Sequence, residues 1–358
     1  MGKMKKIFWT LAISCLILTP GVCLADETDI FSYSMDPDAL IILDLSLSMN
    51  WNPAGNNCYS AGCTRLDMAK AAIKAILDDN NDGSVNSTDE NSLRIRMGYM
   101  RFYNCSADDT AGDYSSGCSS LITAIPSTEH PFSSPSRYSD IWSLVNAEVA
   151  GGSTALAAVL KEAKLYLDYH KNNDTGGNTC RQKFVILVTD GEDTLSCSAN
   201  GYDGNPGARR RTVANVKALA DAGYKVFVIG FGASMPAELK NTLNWMAFYG
   251  GTDNPTEADT GDKTAITFPA DLTTYDPCAG GTTNDPANAT LTGYAFIATS
   301  ADALAEGLRR AVDFINNSRI SFSVSSVAAY RTTTENFLYE ASFQPVNGDP
   351  FWLGHLRR

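Results

Sequence analysis

Long apolar runs are scarce in these 358 residues. Past Ile7–Leu18, which is itself short, nothing approaches the ~20 apolar residues that a membrane span requires. Histidine is nearly missing, with only His130, His170 and His355, and no CxxC pair accompanies them, so a zinc centre of the usual kind lacks donors. Positive charge is also short: 28 basic against 40 acidic residues give a net charge of −12, which disfavours nucleic acid and anionic membrane surfaces. No GxSxG elbow occurs, and GFGAS at Gly230 lacks the rest of a dinucleotide fingerprint. Glu192 and Asp193 could be paired as acid and base for a hydrolase, but a non-enzymatic role is the better expectation.

Against these absences, three local patterns stand out. Residues 1–25 carry Lys3, Lys5 and Lys6, an apolar stretch, Pro20 and a small-residue exit at Ala25, the layout of an export signal. The expected location is the periplasm, the outer surface or a surface appendage. Nine cysteines fit an oxidising compartment. Past the signal, their spacing suggests local disulfides within Cys58/Cys63, Cys105/Cys118 and Cys180/Cys197, with Cys278 left over.

The fold follows from hydrophobic periodicity. Unbroken apolar runs at Ala39–Leu45, Ile95–Phe102, Phe184–Thr189 and Val226–Phe231 predict strands buried on both faces. They alternate with amphipathic patterns at Leu66–Leu77, Thr154–Tyr169, Arg211–Ala222 and Ala301–Ile315. The expectation is α/β: a doubly wound, mostly parallel sheet flanked by helices over 37–318. Polar insertions at 50–64, 104–120, 171–181, 195–208 and 251–290 should be surface loops. From 319 to 358 the pattern becomes short alternating β segments, a linker or the start of a β module.

The chemistry gathers at strand ends. IILDLSLS places Asp44, Ser46 and Ser48 at the carboxyl end of the first strand, GGST brings Thr154 to the start of a helix, and FVILVTDGED puts Asp190 at another strand end. Three hydroxyls and two carboxylates make a small oxygen-only donor set suited to Mg²⁺ or Mn²⁺. Hydroxyl ligands leave the cation under-neutralised, so it should seek a carboxylate from a partner. The bland alternative is that Ser and Asp cap the following helix and TDG is a plain turn. DxSxS with a distant Thr and a distant Asp resembles the metal-ion-dependent adhesion site of von Willebrand factor A domains. The resemblance implies that Ser46, Ser48 and Thr154 bind metal through hydroxyls, and Asp44 and Asp190 directly or through water, with Asp193 in support.

A second cation loop is suggested by DDNNDGSVNSTD at 78–89, with Asp78, Asn80, Asp82, Ser84, Asn86 and Asp89 at positions 1, 3, 5, 7, 9 and 12 and Gly83 at the sharp turn. It resembles an EF-hand or dockerin calcium loop. Asp89 replaces the usual bidentate Glu, and the segment beyond reads as a strand, not an exiting helix.

NWMAFYGGTDNP at 244–255, TGYAFIATSADALAEGLRRAV at 292–312 and NFLYEASF before Trp352 look like the PilY type of type IV pilus tip-associated adhesin. That resemblance implies a role in pilus assembly, tip function and surface attachment. Implied partners are minor pilins or other tip components, a host, surface or matrix ligand presenting a carboxylate, and a β-propeller carried on a separate chain, because this sequence ends where the family's propeller would begin. A structural component that primes assembly without adhesion, and a secreted calcium-binding scaffold, are the alternatives.

Overall fold

The computed structural model describes residues 34–102, 119–126, 137–174, 181–199, 201, 204–318, 320–321, 340–345 and 352–357. The export signal and Cys105, Cys118 and Cys180 lie outside them. The compact unit Met35–Arg319 is built on six strands. These are β1 (Asp38–Asp44), β2 (Arg96–Phe102), β3 (Ser119–Thr123), β4 (Lys183–Thr189), β5 (Tyr224–Phe231) and β6 (Phe296–Ala298). Their order is β3-β2-β1-β4-β5-β6, parallel except for β3. It is the doubly wound arrangement, whose direction of winding reverses between β1 and β4.

Among the described residues seven α-helices cover the two faces: α1 (Arg65–Leu77), α2 (Ser87–Leu93), α3 (Arg137–Ala147), α4 (Leu156–Asn173), α5 (Pro206–Asp221), α6 (Ala237–Tyr249) and α7 (Ala301–Asn317). Alternation along each strand divides the core. Leu40, Ile42, Val185, Leu187, Val226 and Val228 face α4, α5 and α6, while Ala39, Ile41, Leu43, Phe184, Ile186 and Val188 face α1, α3 and α7. Both faces are apolar because both are covered, so the strands read as continuous runs. At full burial each of these side chains except Ala39 is worth about 1.5–3 kcal/mol. Register fixes the layering, with Ile41 opposite Tyr99 on one side and Ile186 on the other.

Three sequence expectations change. Calcium-loop residue Asp89 lies in the first turn of a short helix, α2, that precedes β2, because Asn86 and Asp89 form a capping box that starts it. Ser119–Thr123, which begins at the end of the loop expected over 104–120, supplies the antiparallel edge strand, and Gly98 admits it: a Cβ there would lie 2.9 Å from the Thr123 carbonyl. Cys58 pairs with Cys63 as expected, but Cys197 pairs with Cys278, not Cys180. The physical reason is α5. Arg210 donates to the carbonyls of Pro277, Ala279, Gly281 and Thr283, and Arg209 holds Asp285 in a two-pronged pair. These buried guanidinium groups fold the 277–285 stretch onto the start of α5, beside Cys197.

The second compact unit, of which backbone alone is described, contains the antiparallel pair Glu340–Pro345 and Trp352–Arg357, in register Glu340 to Arg357. Its β character agrees with the alternating pattern there. Among the described residues no helix is long and apolar enough to cross a membrane.

Candidate metal centre

The switch between β1 and β4 places Asp44 and Asp190 beside each other at the carboxyl ends of adjacent strands. The chain after Asp44 turns at once: the Ser46 backbone N–H donates to Asp44 Oδ1 at 2.8 Å, and a single 3₁₀ turn, Leu47–Asn50, follows. Ser46 makes no side-chain cap there, and α1 is capped by Thr64 with Asp67, so helix capping does not account for the DxSxS hydroxyls. Instead Ser46 Oγ lies 3.1 Å from Ser48 Oγ, and Ser48 Oγ donates to Asp190 Oδ1 at 2.8 Å. The second Asp44 oxygen accepts from Thr189 Oγ1 at 2.7 Å.

Thr154 is brought up by a backbone seam. Gly151 N–H donates to Leu45 O at 2.7 Å and Leu47 N–H to Gly152 O at 3.1 Å, which stitches the 151–154 loop to the DxSxS turn. Thr154 itself is buried, and its N–H donates to Thr194 Oγ1 at 3.1 Å. Its hydroxyl faces Gly191, where a Cβ would come within 3.3 Å. Hydrogen bonds thus bring Asp44, Ser46, Ser48 and Asp190 together, and Thr154 lies against Gly191, the residue after Asp190.

Their electrostatics favour a cation. Burial first, and the neighbouring Asp190 charge second, push the Asp44 carboxyl up to about 7. Burial also raises Asp190, opposed by the hydrogen bond and charge of Arg65. Two desolvated carboxylates beside hydroxyl oxygens are a hard donor set that a small divalent ion would relieve, so the residues present fit Mg²⁺ or Mn²⁺. Arg65 is the member that sequence reasoning missed: its Nη1 donates to Asp190 Oδ2 at 2.5 Å, and both side chains are buried. A cation in the first turn of a helix opposes the helix dipole, which is a legible sign of a nearby acid.

Neighbouring acids have other work. Asp193 accepts from the N–H groups of Ala157, Leu195 and Ser196 at 2.6, 3.0 and 2.7 Å, so it caps α4 from outside. Glu192 pairs with Arg209 at 2.9 Å and accepts from Gly204 N–H. Leu47, between the two serines, is 55% exposed, and Val149 is 76% exposed. Val149 lines a hollow of about 480 Å³ together with Arg101, Glu148 and the 150–152 backbone.

The 78–89 loop is closed by its own carboxylates. Asp78 accepts from the N–H groups of Asp82 and Gly83, Asp82 from Ser84 N–H and the Asn80 amide, and Asp89 from the N–H groups of Asn80 and Asn86. Asp78 and Asp89 are buried while Asp82, Ser84 and Asn80 are exposed. Gly83 adopts φ +89°, the left-handed turn that position 6 needs.

At the opposite end of the sheet, Asp38, His170 and Asp174 bring ligand atoms within 4.8 Å of one another. Cations already hold these carboxylates. Arg96 donates to Asp38 at 2.7 Å and Asp174 at 3.0 Å, Arg181 to Asp174 at 3.0 Å, and Lys183 to Asp38. Three fixed cations around two carboxylates would repel a metal ion, so we read this cluster as a buried ion network.

Neither a family model nor a curated protein matches this sequence. Solved structures similar to this chain include PilB minor pilin from Streptococcus sanguinis, at 13% identity and TM-score 0.48, covering 80% of this chain and 62% of that one. Another is proximal thread matrix protein 1 from the mussel byssus with a zinc-occupied MIDAS motif, at 16% identity and TM-score 0.40, covering 79% and 46%. A third is manganese-loaded Plasmodium vivax TRAP protein, at 15% identity and TM-score 0.32, covering 59% and 65%. This chain spans less than two thirds of each.

Proposed function

We propose that this chain is an exported, non-catalytic adhesion module of the von Willebrand factor A type, which binds Mg²⁺ or Mn²⁺ at Asp44, Ser46, Ser48, Thr154 and Asp190. The observation that carries this reading is the buried Asp44–Asp190 pair with serine hydroxyls between its members, at the switch point of the sheet. The bound ion would supply an electrophilic position for a partner's Asp or Glu. The chain's own residues do the rest. Thr189 and the Ser46 N–H orient Asp44, the 151–154 seam holds Thr154 in place, and Asp193 fixes the start of α4 behind it. Leu47 and Val149 offer apolar contact around the site, which suits a partner segment with apolar residues beside its carboxylate.

Association with a type IV pilus rests on the PilY-like segments. In the fold, NWMAFYGGTDNP and TGYAF pack together: Asn244 Oδ1 accepts from Tyr294 and Ala295 N–H, and Trp245 Nε1 donates to Ala289 O. Minor pilins, other tip components and a separate β-propeller chain are the partners this implies. An adhesin and an assembly-priming component part company in cells, because Asp44→Ala should abolish attachment in the first case and piliation in the second. Ca²⁺ in the 78–89 loop is a second, separate site, supported by the left-handed Gly83 and by Asp78 and Asp89 closing the loop from its two ends.

Calorimetric titration with Mn²⁺, Mg²⁺ and Ca²⁺ tests both sites. Asp44→Ala should remove the Mn²⁺ and Mg²⁺ isotherm alone, and Asp82→Ala the Ca²⁺ isotherm alone. An unchanged Mn²⁺ isotherm in Asp44→Ala would rule out the adhesion-site assignment.

A further inference from the structure

Arg65 is anchored as firmly as the acids it faces. Nη1 donates to Asp190 Oδ2 at 2.5 Å, Nε to the Asn52 carbonyl at 3.2 Å and Nη2 to the Pro53 carbonyl at 3.4 Å. The Pro53 carbonyl is fixed in turn by Ala233 N–H at 2.7 Å, and the guanidinium lies against Gly232, where a Cβ would approach it to 3.5 Å. This guanidinium cannot swing away without breaking the 52–55 loop. Asp190 keeps one oxygen toward Ser48, and both Asp44 oxygens are held by the Ser46 N–H and Thr189. Protein groups therefore bond every carboxylate oxygen of the centre, and with both carboxylates ionised, as metal binding requires, the site carries one net negative charge, not two.

We propose that Arg65 is a resident counter-cation of the metal centre, which keeps the site formed without metal, lowers its affinity for metal, and leaves a bound divalent ion incompletely neutralised. The inference rests on the metal-centre reading above. With Asp44 and Asp190 alone, a divalent ion would be neutralised by its own ligands and have little pull on an outside carboxylate. With Arg65 sharing Asp190, one positive charge remains for the partner to meet. The same fixed charge repels the arriving ion, so affinity for metal is exchanged for attraction of the ligand. Bracing alone predicts a different pattern: loss of a mere brace would loosen the site and weaken metal binding together with stability.

The test compares the full chain as wild type, Arg65→Gln and Arg65→Lys, using Mn²⁺ titration by calorimetry and thermal unfolding in chelator. Arg65→Gln should bind Mn²⁺ about tenfold or more tightly while unfolding at a lower temperature in chelator. Arg65→Lys, which retains the charge, should stay near wild type in Mn²⁺ affinity. Equal or weaker Mn²⁺ binding by Arg65→Gln overturns the proposal, as does Arg65→Lys behaving like Arg65→Gln. If Arg65→Gln does not fold, Arg65→Met, which preserves the stem's packing, carries the same comparison. Absence of Mn²⁺ binding in every protein, Arg65→Gln included, overturns the metal-centre reading along with this one.

Discussion

Strands β1 and β4 bury charge at both of their ends, and the two ends are resolved in opposite ways. At the amino end Asp38 opens β1 and Lys183 opens β4, and with Arg96, Arg181 and Asp174 they form a network in which each carboxylate meets more than one cation. At the carboxyl end Asp44 closes β1 and Asp190 follows β4, and against these two carboxylates stand one guanidinium, bonded to Asp190, and a set of hydroxyls. The first end is saturated from within the chain. The second is left with negative charge and hydroxyl oxygens, and we take that deficit to be its function. Burial of charge is thus not in itself a mark of a site; the sign and completeness of the compensation are.

The largest expected effect breaks the saturated end. Asp38→Ala strands Lys183 in the core and leaves Arg96 with Asp174 alone, and urea unfolding should show a loss of about 3–5 kcal/mol. The mirror substitution, Asp44→Asn, should leave the metal-free protein at least as stable at pH 7, because it removes a desolvated charge facing another. The contrast would collapse if both variants lost comparable stability.

Next in size is the pH dependence of metal binding. A proton on Asp44 competes with the ion, and with that carboxyl near 7, Mn²⁺ affinity should rise about tenfold between pH 6 and pH 8. Calorimetry at several pH values would show it, and a flat profile would count against Asp44 as a ligand.

The last expectation is a pair of opposite slopes in stability against pH without metal. Asp44 holds its proton to higher pH when folded than its ordinary value of 3.8 allows, so it costs stability as pH rises from there to about 7. Burial keeps His170 below its ordinary 6.5, opposed by Asp38, so the unfolded chain takes up that proton first and stability falls as pH drops below 6.5. Asp44→Asn should flatten the first slope and His170→Gln the second, each leaving the other intact.

Much of the fold was legible because burial on both faces leaves an unmistakable run. The four expected strands begin and end within about two residues of their expected bounds, as Val226–Phe231 against Tyr224–Phe231 illustrates, while the fifth parallel strand, β6, was not expected. Helix α6 was missed because NWMAFY carries apolar residues around much of its circumference, and β3 because its neighbours are polar. The grouping of Asp44, Ser46, Ser48 and Asp190 was legible through the DxSxS spacing and the strand ends that carry it. Arg65 was not sought, since a basic residue among acidic ligands looks like surface. The amino-end network was also readable in principle: Arg96 and Lys183 each stand directly before an apolar run, and Asp38 does likewise. The Cys197–Cys278 bridge was beyond reach, because only the folding of 277–285 over α5 brings its ends together.

That bridge has a consequence for wear. Much of the stretch between Thr256 and Thr283 is exposed, the kind of segment a protease cuts first. A cut there, anywhere before Cys278, would sever the chain without separating it, since the fragment carrying Asp44 and Asp190 would still be tied through Cys197 to the remainder. Such a molecule would run intact on a gel without reductant and as two bands with it. Damage of this kind would stay silent until the disulfide was reduced.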